Sequence, residues 1–304
     1  MKNLLDFALQ ERYDRVRNIR PKLEEMKTLL DWNSFVSVFP SEKQGRGRPA
    51  YDKILMVRIL FLQSWYSLSD EEIEFQVYDR LSFQQFLDFP DKVPDFTTVW
   101  RFREELTQTD TIELIWQELQ RQINLKNVRI EKGVIQDATF IHADPGKTNS
   151  GMDNRGMAKT SRSRDGSWAK KNGKSHFGFK SHTKMQRGSK IITEVAVTTA
   201  KVHDSKIDLA SPEEIIYRDT GYTGVKTKAK GNASMKRGNL SIRDKMRNKR
   251  IVKKRSQGEH PYGTIHRSFK GGWTKLTTIA RVFVQQVFVC MAYNIHRLRF
   301  LLES

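Results

Sequence analysis

Asp137 and Asp219 stand in surroundings that ask for chemistry. Asp137 interrupts Gly133-Val134-Ile135-Gln136-Asp137-Ala138-Thr139-Phe140-Ile141, which reads as a buried strand. Asp219 follows a second such run, Glu214-Ile215-Ile216-Tyr217-Arg218, just before Gly221 and Gly224 turn the chain. A buried carboxylate without a partner is costly, and strand ends in mixed α/β folds reach a shared cleft. If the two strands lie side by side, the carboxylates converge. Like charges that close are best relieved by a divalent cation with oxygen ligands. Such a site can hold two metal ions about 3.5–4 Å apart and drive in-line attack on a phosphodiester. Taken singly, each acid has a plainer reading: Asp137 as a hydrogen-bonding strand residue, Asp219 as the start of a turn. Asp204, in Val202-His203-Asp204-Ser205, competes for the second position but stands where it would cap a helix. Asp144-Pro145 reads as a turn.

The chain around the second acid is strongly basic. Residues 218–270 hold sixteen Lys and Arg against three acids, Asp219, Asp244 and Glu259, a net +13 in 53 residues. Solvated faces usually mix signs; a run this lopsided suits phosphates, with binding that weakens steeply in salt. The whole 304-residue chain has 54 Lys and Arg against 35 Asp and Glu, net +19, which favours a polyanionic partner. Cys290 is the single cysteine, so an intrachain disulfide and a cysteine-based zinc site are excluded, and a reducing cytosol is favoured. Asp6 and Glu11 break any signal-peptide core, and Arg281, Gln285 and Gln286 interrupt the most apolar tract. The expected location is the cytoplasm, on the nucleoid when bound to DNA, with no membrane partner. The GxxxxGK(S/T) pattern of a nucleotide-binding loop does not occur, so no nucleotide cofactor is expected.

The elements that must position these acids divide the chain. Residues 1–125 read as a helical domain. Residues 52–66 are apolar almost all round, as in a helix at the centre of a bundle. Ser69 to Glu72 and Ser82 to Gln85 each match a capping box, and helices follow from Thr97 and through residues 111–125. Short capped helices with tight turns fit a helix-turn-helix and an ordinary bundle equally. Residues 126–304 read differently: a first strand at 133–141, a hairpin of 176–185 with 190–200, a helix from Asp204, a strand ending at Arg218, and a long helix from Leu276 to Leu302. A polar loop, 146–175, separates the first two strands. Within it, Trp168, Lys170, Lys171 and Lys174 offer a ring and cations for DNA. Gly45-Arg46-Gly47-Arg48-Pro49 has the core of a minor-groove hook but reads first as a linker.

An acid in the first strand and another after the fourth resemble the RNase H-like core of retroviral integrases and DDE transposases. Several segments together resemble prokaryotic insertion-sequence DDE transposases: GRPAYDKILMVRILFLQSWYSLSDEEIEFQVYDRLSFQQFL, VPDFTTVWRFREEL, IQDATFIHADPG, GSWAKKNGKSHFGFKSHTK, YRDTGYTG and GEHPYGTIHRSF. The resemblance spans roughly residues 45–300. It implies an α+β chain, with a helical N-terminal domain followed by an RNase H-like mixed-sheet catalytic domain. It also implies a triad of Asp137, Asp219 and Glu259 as catalytic residues and metal ligands. In that family the third acid has an Arg four residues before it and usually a Lys seven after. Arg255 fits the first position; His266 stands at the second, with Arg267 beside it as a substitute, and the resemblance makes all three DNA-contact candidates; Val252 stands where Tyr is common. Steps of four and seven return to one helix face, so Arg255, Glu259 and His266 would form one stripe, with Pro261 in the first helical turn or at a kink.

The resemblance further implies binding of terminal inverted repeats. It implies cleavage with two divalent ions (Mg²⁺, with Mn²⁺ able to substitute) and direct strand transfer into target DNA. The partners would be double-stranded DNA at element ends and target, and a dimer or higher assembly of the protein itself. The alternatives are a metal-dependent endonuclease that cuts without joining, and a DNA-binding regulator with a decayed centre.

Overall fold

A computed structural model describes residues 4–19, 22–40, 49–128, 133–146, 148–152, 158–160, 164–171 and 173–303. The chain falls into two compact units, Met1–Lys126 with Leu298–Ser304, and Asn127–Arg297. The hook-like pentapeptide, apart from Pro49, lies outside the described residues.

The first unit is helical: α1 (Leu4–Ile19), α2 (Lys22–Leu29), a 3₁₀ helix (Trp32–Val38), α3 (Lys53–Tyr66), α4 (Asp70–Asp79), α5 (Leu81–Phe86), α6 (Phe96–Gln108) and α7 (Thr111–Leu125). The all-round apolar helix is central, as expected: Ile54 and every residue from Met56 to Leu62 are buried in α3. Asp52 caps it, accepting from the N–H groups of Ile54 and Leu55 at 3.1 and 3.2 Å. Trp32 meets Phe61 and Phe86 with ring centroids 5.2 and 5.4 Å apart. The Ser69 cap forms, its hydroxyl accepting from Glu72 N–H at 3.1 Å. The second capping box does not. Ser82 is already inside α5, because Arg80 ends α4 and begins α5, and its guanidinium lies over the rings of Tyr66 and Phe83. Arg103 ties α6 to α4 through a two-pronged pair with Asp70 at 2.8 and 2.7 Å.

The second unit contains β1 (Val134–Ala143), β2 (Thr148–Met152), β3 (Ala158–Thr160), β4 (Ser167–Lys171), β5 (Lys174–Gln186), β6 (Ile192–Thr199), β7 (Ile215–Arg218), β8 (Gly231–Ser234), α8 (Ile242–Arg255), α9 (Glu259–Ser268), β9 (Trp273–Thr274) and the part of α10 (Ile279–Leu302) up to Arg297. The expected hairpin is β5–β6. In the main sheet β6 and β1 flank β5 antiparallel, and β7 and then β8 continue from β1 in parallel. This is the mixed sheet of an RNase H-like domain. The polar loop is partly strand: β4 adds to β5, and β2 pairs with β3 as a separate ribbon. Lys and Ser along it hid strands that pair with their next neighbours in the chain. The helix expected from Asp204 is one 3₁₀ turn, Asp204–Lys206, capped by His203 rather than by Asp204.

The apolar face of α10 is consumed by the sheet. Val282 packs with Ile141 and Phe179, and Asn294 bonds both the N–H and the carbonyl of Ile192, at 2.9 and 2.7 Å. Among the described residues no helix is long and apolar enough to cross a membrane.

His182 is fully buried in β5, with its Nε2 2.9 Å from Thr198 Oγ1. Burial pushes its imidazole down to about 4, with Asp204 opposing and Lys180 assisting. A depressed histidine contributes stability that is present above its ordinary value of 6.5 and lost as pH falls towards 4. The loss amounts to about 3 kcal/mol. His182→Gln is expected to flatten the stability profile between pH 7 and 4, measured by urea unfolding. An unchanged slope would show that this imidazole is not the acid-sensitive group.

Candidate active site

The parallel pairing of β1 with β7 sets Val134 beside Ile216 and Ile135 beside Tyr217. The ladder stops there and β7 ends at Arg218; carried two residues further, the same register would set Asp137 opposite Asp219, whose charge acts on the Asp137 carboxyl. Side chains alternate along a strand, so the intervening pair, Gln136 and Arg218, points to the other face. There Arg218 is fully buried and donates to Gln136 Oε1 at 3.0 and 2.6 Å, and to Asp208. That anchor fixes the end of β7 and leaves Asp219 at the opposite face. Asp219 also begins a turn, its Oδ1 accepting from Gly221 N–H at 2.8 Å. The plainer reading and the chemical one therefore coexist in one side chain.

A third aspartate lies nearby. A methyl group built at Gly221 would stand 2.9 Å from Asp219 Oδ1 and 3.2 Å from Asp204 Oδ2. Lys180 holds Asp204, donating to its Oδ1 at 2.8 Å. Sequence reasoning set Asp204 aside as a helix cap; only its pairing with Lys180, 24 residues away, reveals where it points.

Asp137 is enclosed, its side chain 16% exposed. Its Oδ1 accepts from Ala138 N–H at 2.9 Å and its Oδ2 from Arg255 Nη1 at 2.8 Å. Burial raises its carboxyl from 3.8 to about 6; Arg255 and the Ala138 N–H oppose the rise, and Asp219 and Asp204 add to it. Arg255 also reaches Glu259, Nη2 to Oε1 3.6 Å, so one guanidinium bridges two acids.

The expected single stripe of Arg255, Glu259 and His266 is broken. Arg255 ends α8, a 3₁₀ turn spans Ser256–Gly258, and Glu259 starts α9 with Pro261 in its first turn. Gly258 permits this corner to lie on β1: a Cβ there would meet Ile135 Cγ2 at 2.9 Å. The Glu259 side chain is 70% exposed and is held only from the Arg255 side. His266 meets Thr139 on β1, Nε2 to Oγ1 2.9 Å, and Tyr262 meets Thr183 at 2.7 Å. Burial and the charge on Asp137 keep the Tyr262 and Tyr222 hydroxyls protonated far above their ordinary range.

The remaining DNA-contact candidates are more dispersed. Arg267 is exposed at the surface of α9 and bonds back to Gly263 O at 3.2 Å. Trp168 lies on β4 against Phe177, ring centroids 5.3 Å apart, and Lys170 and Lys174 are exposed on β4 and β5. Lys171 closes β4.

Among the described residues no group of three or more His, Cys, Asp or Glu side chains is gathered closely enough to hold a metal ion. The donor chemistry nonetheless suits one. Burial is the main cause of the raised Asp137 carboxyl, and the charges of Asp219 and Asp204 add to it. Carboxylate oxygens are the ligands that hard divalent cations prefer. At present a guanidinium supplies the counter-charge, and Glu259 faces that guanidinium.

Residues 10–105 match a family model described as Transposase domain (DUF772), and residues 129–295 match one described as Transposase DDE domain. The second match covers more than half of the chain. No solved structure matches it.

Proposed function

Because the chain belongs to the DDE transposase family, we propose that it binds the terminal inverted repeats of an insertion sequence, cuts them and joins the freed ends to target DNA. The observation that supports this reading is the β1–β7 register, which carried two residues past its last pair directs Asp137 and Asp219 towards each other, together with the action of the Asp219 charge on the Asp137 carboxyl. The family generally uses divalent metals. We assign Asp137, Asp219 and Glu259 as the residues that would hold two Mg²⁺ or Mn²⁺ ions. When bound, such ions activate the attacking hydroxyl and stabilise the leaving oxygen.

The chain's own groups do the rest. Asp137 is held by its bonds to the Ala138 N–H and to Arg255, so its carboxylate keeps one direction. The Arg218 anchor fixes the position of Asp219. The burial of Asp137 keeps bulk water from its carboxylate, which strengthens any charge interaction there. Glu259 stands on the first residue of α9, exposed and drawn to the same guanidinium that holds Asp137.

The DNA itself is assigned to the basic surface of residues 218–270, to Arg267 and His266 beside the site, and to Trp168, Lys170, Lys171 and Lys174 on the β4 edge. The helical first unit is assigned to the repeats. Paired cutting of two ends calls for a dimer or larger assembly, acting in the cytoplasm on the nucleoid.

A pre-cut element end incubated with plasmid target and Mg²⁺ is expected to give joined product, and Glu259→Gln is expected to reduce it about a thousandfold with duplex binding unchanged. Hydrolysis without joining would favour an endonuclease. Duplex binding without any cleavage in Mg²⁺ or Mn²⁺ would favour a regulator with a decayed centre.

A further inference from the structure

Arg255 presents a conflict that the reading above does not resolve. Its Nη1 occupies Asp137 Oδ2 at 2.8 Å, while Asp137 Oδ1 is engaged by the Ala138 N–H. Both carboxylate oxygens of the most enclosed acid are therefore in use. The other end of the guanidinium draws Glu259 at 3.6 Å. A divalent cation approaching Asp137 meets a positive charge already seated there, and the Glu259 carboxylate is drawn to the same charge. This accounts for the absence, among the described residues, of a gathered three-acid site.

Arg255 is also the last residue of α8, a 14-residue helix on which eight side chains are Lys or Arg. A duplex drawn to that helix brings phosphates to its C-terminal end. Guanidinium binds phosphate in the same forked geometry as carboxylate, so a phosphate offers Arg255 an equivalent partner. We propose that Arg255 is a positioning residue that couples metal loading to DNA binding. In the free protein it withholds Asp137 and Glu259 from divalent ions, and on the complex it turns to a phosphate and releases both. The proposal rests on the assignment of Asp137 as a metal ligand. Coupling of this kind is reciprocal, so bound metal tightens DNA binding by the same factor.

The test is Mn²⁺ binding to the full chain at pH 8, read from the paramagnetic resonance of free Mn²⁺. It is run with and without a short duplex at low salt, with the Mn²⁺ taken up by the duplex alone subtracted. In the free protein, Arg255→Gln is expected to bind Mn²⁺ about tenfold more tightly than the unaltered chain. Its amide can still donate to Asp137, which protects the fold, and Arg255→Lys is expected to restore weak binding. Adding duplex is expected to tighten Mn²⁺ binding in the unaltered chain and to leave Arg255→Gln unchanged. Equal or weaker Mn²⁺ binding by free Arg255→Gln overturns the coupling while leaving the metal site intact. Mn²⁺ binding that survives Asp137→Asn, with duplex present, overturns the assignment of the site itself and the coupling with it.

Discussion

Asp137→Asn is expected to lower strand cleavage about a thousandfold or more, and to make the metal-free protein more stable at pH 8. The two effects have one cause. Burial first, then Asp219 and Asp204, raise the Asp137 carboxyl from 3.8 to about 6 against the pull of Arg255. A carboxyl raised on folding contributes stability that is fully present below its ordinary value and lost as pH rises through 6. Above that pH the folded chain must hold an ion it disfavours by about 3 kcal/mol. Asparagine keeps the shape and carries no charge, so the variant gains up to that amount at pH 8 and little at pH 4. The weaker bond from Arg255 trims the gain. Urea unfolding in the presence of a chelator, at both pH values, measures it. A variant equally stabilised at pH 4 and pH 8 would falsify the electrostatic origin. Loss of cleavage together with loss of stability at pH 8 would mark Asp137 as a structural residue.

Asp208→Ala is expected to be among the most destabilising single substitutions in the second unit, at about 3–5 kcal/mol. Arg218 is fully buried, and Asp208 is its one acidic partner among the described residues. Asp208 also accepts from Thr227 Oγ1 at 3.1 Å and from Lys228 N–H at 3.0 Å. Burial disfavours its charge, yet the Lys228 and Ala210 N–H groups and Arg218 hold the carboxyl below its ordinary range. Truncation leaves a guanidinium in the interior with only the Gln136 amide oxygen to receive it. An uncompensated buried charge is what makes such losses large, rather than the strength of the original pair. The double variant Asp208→Ala with Arg218→Met is therefore expected to recover much of the loss, because no charge remains to be solvated. Denaturant midpoints of the single and double variants decide this. If the double variant is no better than Asp208→Ala alone, the stranded charge is not the reason. Cleavage should fall in both, since the anchor at Gln136 sets where β7 ends and hence where Asp219 stands.

Much of the first unit was legible because its signals are local. An all-round apolar stretch has no solvent face to offer, so α3 had to be central. The Ser69 cap acts over three residues. The Ser82 box failed because residues before it take over: Arg80 stands at the helix start and lies over two rings, and Val77 O accepts from Gln84 at 2.6 Å. The β5–β6 hairpin was legible for the same reason that α3 was, its strands being separated by one short turn. β4 was hidden in a polar loop because its ladder with β5 supplies what its side chains lack.

The candidate site divides along the same line. Sequence alone determined that two acids sit in apolar strands beside a basic run, and family resemblance added Glu259. That was enough for the class of chemistry, since charge and burial tendency belong to residue types and their near neighbours. Only the tertiary structure decided that β1 and β7 adjoin in a register that directs Asp137 and Asp219 towards each other. It also decided that Asp204 turns towards them and that Arg255 already occupies the carboxylate, whereas Pro261, which fits a first helical turn, pointed to Glu259 at a helix start. Those facts depend on contacts across many tens of residues, between side chains that compete for one another. A local pattern names the groups; the packing of distant segments sets which charge meets which.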